Sequence, residues 1–172
     1  MKQLLVLAYL YLASTLVHGQ KVSFQYSKIN IGSIDSLELS QNGRRWIYDY
    51  PIGLSEDYFP KRNDYKLSQP IVYRKHIRHF QYETSYYYSL PDSVLRVIEY
   101  WWEDTLYSKR YILKQVKKNE KAISKHFKNP MTLSPETDKQ MAKSVWEDDS
   151  VHIEQHYTTE FLHRIRVIIS WK

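Results

Sequence analysis

Residues 164–171 alternate without a break. Ile165, Val167, Ile169 and Trp171 fall on one side of an extended chain, with Arg164, Arg166 and Ser170 on the other. A strand with one apolar side is stable only when that side is covered. Residues 106–127 provide the cover. At 100° per residue, Ile112, Val116, Ile123 and Phe127 lie within roughly 60° of one another, so they form one apolar stripe. Arg110, Lys114, Lys117, Lys118, Lys121, Lys125 and Lys128 collect on the opposite side, and Asn129-Pro130 ends the helix.

The remaining pattern supplies more strands. Residues 151–157 alternate, and Asp148-Asp149-Ser150 turns the chain back from 143–147. Paired with 164–171 through a tight connection near Thr158-Thr159-Glu160, this strand adds Val151, Ile153 and Tyr157 to the apolar face. It places His152, Glu154 and His156 beside the arginines. Residues 71–89 are rich in Tyr and β-branched residues and free of Gly and Pro. With 94–103, beyond the turn at Leu90-Pro91-Asp92-Ser93, they read as one hairpin. Residues 21–31, the pair Leu37 and Leu39, and residues 44–50 after the Gln41-Asn42-Gly43 turn read as further strands. Residues 51–70 hold three prolines and read as a long surface loop, with one helical turn near 55–58. Residues 131–139 read as another loop, and Ser134-Pro135-Glu136 could open a helical turn. The expectation is an α+β domain: an antiparallel sheet of about five to seven strands with one long amphipathic helix, at about 106–127, packed on one face.

The N-terminus points to export. Met1-Lys2-Gln3 is a short basic start, residues 4–17 are uncharged and mostly apolar, and Val17-His18-Gly19 offers a cleavage site. The apolar run is shorter than the roughly 20 residues a spanning helix needs. Cleavage after Gly19 would leave residues 20–172 as one domain of 153 residues without a transmembrane segment. Lys2 is the one basic side chain lost, so 24 basic and 19 acidic groups remain, a formal charge of +5. A chain of this size buries enough surface for a core without disulfides. There is no Cys, which excludes disulfides, thiol nucleophiles, zinc–thiolate sites, iron–sulfur clusters and lipid attachment at a lipobox. An exported chain without Cys, and without an Asn-x-Ser/Thr sequon, fits a bacterial periplasm or extracellular space. The four glycines (Gly19, Gly32, Gly43, Gly53) are at least ten positions apart. Phosphate-cradling loops, which need closely spaced glycines, are thereby excluded.

Three constellations could carry function. His152, Glu154 and His156 share one strand face and could hold a divalent metal. The plainer reading is a solvated face, with Glu154 paired across strands to Arg164. The spacing also departs from the His-Glu-x-x-His helix of zinc proteases. The basic helix side (Lys114, Lys117, Lys118, Lys121, Lys125) sets up a positive field. In an exported chain it would meet an acidic glycan, anionic lipid headgroups or an envelope protein rather than nucleic acid. The third is the aromatic load: 16 Tyr and 5 Trp, with Tyr86-Tyr87-Tyr88 and Trp101-Trp102 consecutive. Consecutive rings on a strand face both sides of the sheet, so Tyr86, Tyr88, Trp101 and Trp102 are candidate binding rings as well as core.

Catalysis has little to stand on. There is no Gly-x-Ser-x-Gly elbow. Glu99 and Glu103 on one strand would be about 13 Å apart, wider than a glycosidase pair. No catalytic residue and no cofactor is assigned. The reading is a small, non-enzymatic, exported binding domain of the bacterial envelope or extracellular space. The alternatives are a hydrolase or metal-dependent enzyme acting on envelope polymers, and a subunit of an envelope assembly.

Overall fold

The computed structural model describes residues 22–106, 108–127, 132–134, 142–159 and 163–172. The expected signal segment, the helical turn at 134–136 and the tip of the 158–160 connection lie wholly or partly outside these. Within them the chain forms one eight-stranded antiparallel sheet. Strands β1 (Arg44–Trp46), β2 (Ile71–Ile77), β3 (Phe80–Tyr88) and β4 (Leu95–Asp104) form one meander. Strands β5 (Thr132–Ser134), β6 (Ala142–Glu147), β7 (Val151–Thr158) and β8 (Arg164–Trp171) form another. The order β1-β2-β3-β4-β8-β7-β6-β5 joins the meanders through their last strands. Two of the eight are three-residue edge strands; the six long strands carry the α+β layer expected from the sequence.

This order leaves the chain at the sheet centre after β4 and returns it at the far edge in β5. Four strand spacings amount to about 19 Å. The connecting helix is Lys109–His126, eighteen residues, or about 27 Å at the α-helical rise, long enough to cross. It runs over the face that carries Ile98, Tyr100, Trp102, Ile165, Val167 and Ile169. Ile112, Val116, Ile123 and Phe127 are buried against that face, as their periodicity required. Near the helix end, Trp146 Nε1–H donates to Ser124 Oγ at 3.0 Å and Ser144 Oγ–H donates to Glu120 Oε1 at 3.2 Å, which ties the helix to β6.

Several expectations are corrected. Residues 22–30 form no strand, although their alternation is real. Phe24 is buried edge-on against Tyr100, with ring centroids 5.1 Å apart, and the Gln25 N–H donates to Tyr100 Oη at 2.8 Å. Alternation here reports which side chains face the core, while a phenol takes the place of a strand partner. Leu37 and Leu39 belong to a helix, α1 (Ile34–Ser40). Its buried residues are Ile34 and Glu38, one turn apart, and Leu39 is exposed. The Glu38 carboxylate accepts from Tyr86 Oη–H and lies 3.9 Å from Lys75 Nζ. The strand expected over 44–50 stops at Trp46. Residues 71–89 are two strands, folded back at Arg78-His79 with no Gly, Pro or Asn to announce the turn. Arg78 adopts φ 56° there, in the left-handed range.

Residues 51–70 are more than a surface loop. They contain a short helix, α2 (Arg62–Tyr65); the long helix Lys109–His126 is therefore α3. Leu54 and Phe59 are buried with Tyr87, Val97 and Ile168 in a second apolar cluster. Tyr58, Tyr65 and Leu67 pack at its border. The segment thus covers the sheet face opposite α3, so this sheet is covered on both sides. Among the described residues, no helix is long and apolar enough to cross a membrane.

Candidate ligand groove

Three pieces of chain meet along α3, between Tyr111 and Ala122. Val22 and Phe24 run alongside the sheet, the β2–β3 turn (Ile77 to Phe80) closes one end, and α3 forms the wall. Between them lies a groove of about 540 Å³, within the 300–1,000 Å³ typical of small-ligand clefts. Its apolar lining comes from Val22, Phe24, Ile77, Phe80, Trp102 and Ala122. His79 stacks on Tyr111 at the end of the groove, with centroids 4.4 Å apart and planes 23° from parallel.

The polar lining has one sign. Arg78, Lys114, Lys118 and Lys121 line the groove, and no Asp or Glu does. None of these four cations has an ion pair among the described residues. The Lys118 ammonium is pushed below the usual lysine range by lost solvent and by the nearby charges of Arg78 and Lys114. Like charges this close repel, and only a negative group among them would reverse the sign of that interaction. Asn119 sits in the apolar stripe of α3, three residues after Val116 and four before Ile123. It is 2% exposed. Its Oδ1 accepts from Gln115 Nε2–H at 2.8 Å, while its own Nδ2 has no partner among the described residues. Trp102 Nε1–H has none either.

This places the candidates. Lys114, Lys118 and Lys121 line the groove; Lys117 and Lys125 are exposed but line no part of it. The ring candidates need correction. Tyr86 is 1% exposed and Trp102 fully buried, so neither offers a surface for stacking. Trp102 forms part of the groove floor instead. Tyr88 is half-buried at the end of β3. Trp101 faces the other side of the sheet, where the guanidinium groups of Arg164 and Arg166 lie 5.0 and 4.8 Å from its ring centroid. Arg78, His79, Gln115 and Asn119 were not legible as site residues. The one available signal was a polar residue, Asn119, at a core position of the helical stripe.

The face with His152, Glu154 and His156 is also corrected. His156 is 6% exposed and lies under Tyr58, so the face is not solvated there. Glu154 does not meet Arg164, which pairs with Glu103 at 2.9 Å. Instead Glu154 bridges the two imidazoles: His152 Nε2 and His156 Nε2 lie 2.8 and 2.9 Å from its two oxygens, and Lys143 Nζ lies 2.9 Å from Oε1. A carboxylate accepts, so each Nε2 carries the proton. Among the described residues, no group of three or more His, Asp or Glu is arranged to hold a metal ion. Burial alone would raise the Glu154 carboxyl. The hydrogen bonds from His152, His156 and Lys143 outweigh it and hold the group well below the usual carboxylate range.

A depressed folded pKa stabilises the fold above the unfolded carboxylate value and is lost as pH falls through the folded one. Thermal unfolding should therefore show Glu154→Gln destabilised at pH 7, with the gap to the parent protein closing as pH drops below about 4. A gap that does not change with pH would show that Glu154 is not acting as a charge.

No protein-family model, no curated protein and no solved structure matches this chain. Chemically, the groove can bind and neutralise negative charge beside apolar surface. The one imidazole of its lining, His79, stacks on the Tyr111 ring, and no carboxylate lines it.

Proposed function

We propose that the protein is a small exported binding domain of the bacterial envelope or extracellular space, non-enzymatic, with the groove beside α3 as its binding site. The observation that carries this is the convergence of Arg78, Lys114, Lys118 and Lys121 on one apolar trough with no acid in its lining. The buried carboxylates of the opposite face fit a hydrolase less well. Glu99 is held by Arg166 and Tyr87, and Glu83 by Arg74 and Tyr48. The assembly reading keeps one observation in its favour. Trp46, Ile47 and Tyr50 are exposed at and just beyond the three-residue edge strand β1, where another chain could pair.

The test is a thermal-shift panel of acidic and neutral glycans, anionic and neutral lipids and divalent metals, run on the protein and on Ala122→Trp. Ala122 is exposed on the groove wall, so the larger ring fills the trough without entering the core. A ligand at 100 times its Kd adds about 2.7 kcal/mol. Stabilisation that Ala122→Trp removes supports the reading. Stabilisation that survives it, or a flat panel, contradicts the groove as the site.

A further inference from the structure

We infer that the groove takes an anionic amphiphile: an acidic head among Arg78, Lys114 and Lys118, and an apolar body along Val22, Phe24, Ile77 and Phe80. This rests on the groove being the binding site and adds the class of ligand. Three observations point the same way. Arg78, Lys114, Lys118 and Lys121 line one groove with no carboxylate among them and are unpaired among the described residues. Phe24, Ile77 and Phe80 are buried while the four cations are exposed, which suits a chain entering the trough rather than a flat membrane surface or a glycan stacked on open rings. Asn119 lines the groove with a buried amide N–H₂ that lacks an acceptor, and an acidic head supplies one. Arg78 occupies a left-handed turn position that favours glycine. Glycine would relax that turn, so Arg78→Gly tests the charged side chain apart from the fold.

An acidic head alone would be held weakly, because Lys114, Lys118 and Lys121 are exposed and water competes for them. The tail adds the rest. Each buried methylene contributes roughly 0.8 kcal/mol, or about fourfold in affinity, until the trough is full.

The experiment is calorimetric titration of the full chain with octanoate, decanoate, decanol, acetate and inorganic phosphate, and with vesicles of anionic lipid. Decanoate should bind, about tenfold or more tighter than octanoate, and at least threefold tighter than decanol. Acetate and phosphate should show no measurable binding. Lys118→Gln and Lys114→Gln, both at exposed positions, should weaken decanoate at least threefold and leave decanol unchanged. Arg78→Gly should weaken decanoate while raising Tm, a pairing that general loss of structure cannot produce.

Equal affinity for decanoate and decanol, both lost in Ala122→Trp, would overturn the acidic head while leaving the groove as the site. Phosphate binding as tightly as decanoate would overturn the apolar body. Binding to anionic vesicles without binding to decanoate would overturn the inference in favour of a membrane surface. No binding to any amphiphile would overturn it outright, while the Ala122→Trp panel decides the groove separately.

Discussion

Arg166→Met should destabilise the protein by about 3–5 kcal/mol at pH 7, the cost of leaving a buried charge without its partner. Arg166 Nε lies 2.7 Å from Glu99 Oε1, and Glu99 is 5% exposed. The N–H is not well aligned with that oxygen, so charge attraction rather than an ideal hydrogen bond holds the pair. Tyr87 Oη–H donates to the other oxygen at 3.0 Å. The guanidinium is also sandwiched between rings, 4.3 Å from the Tyr58 centroid and 4.8 Å from that of Trp101. Tyr58 belongs to the 51–70 segment, so the same side chain fastens that segment to the sheet. Adding Glu99→Gln to Arg166→Met should recover at least ~1 kcal/mol, because the orphaned charge is then gone.

The pH dependence gives a second check on the pair. Burial raises the Glu99 carboxyl, the Arg166 charge and the Tyr87 hydrogen bond oppose this, and Glu83 adds to it. A raised folded pKa means stability that is present below the unfolded value and lost as pH rises through the folded one. With the opposing charge removed, Arg166→Met should be more stable near pH 5 than near pH 8. The sign is opposite to that expected from Glu154. Equal stability at both pH values, with no recovery in the double variant, would show that the pair is incidental.

Trp102→Ala should cost about 3–5 kcal/mol, the usual range for emptying a large aromatic site. That is a large share of the 5–15 kcal/mol a domain has in total. Trp102 is fully buried, with ring centroids 5.1 Å from Tyr82, 6.0 Å from Phe24 and 6.4 Å from Tyr100. It holds the 22–26 segment to the sheet and forms the floor under the groove. Trp102→Phe should cost much less, since the indole N–H it removes has no partner among the described residues. Urea unfolding of both variants separates the cases. An alanine variant within 1 kcal/mol of the parent would contradict a packed core at this point.

What the sequence disclosed follows from which signals have one cause. The α3 stripe and the alternation of β7 and β8 arise from burial alone, and Ile112, Val116, Ile123, Ile153, Ile165 and Ile169 are all buried as that pattern requires. Around Leu37 and Leu39 a short window fitted two periods, and the residue that decides it is Glu38. Its burial depends on Tyr86 and Lys75, distant in the chain. The turn at Arg78-His79 was hidden because an arginine holds a conformation that usually selects glycine. The 51–70 segment carries no burial signal in the sequence because its anchors, Leu54 and Phe59, sit among prolines and charges without any period. The basic side of α3 was visible. That three of its lysines face a trough, and that Arg78 joins them, depends on where the β2–β3 turn lands.

The most direct test of the groove is to follow amide and indole N–H signals by NMR as decanoate is added. The account predicts shifts confined to residues 22–24, residues 77–80, residues 111–122 and the Trp102 indole, with saturation at one ligand per chain. Shifts centred on Trp46 and Tyr50 at the β1 edge, or on residues 152–156 of the opposite face, would contradict it.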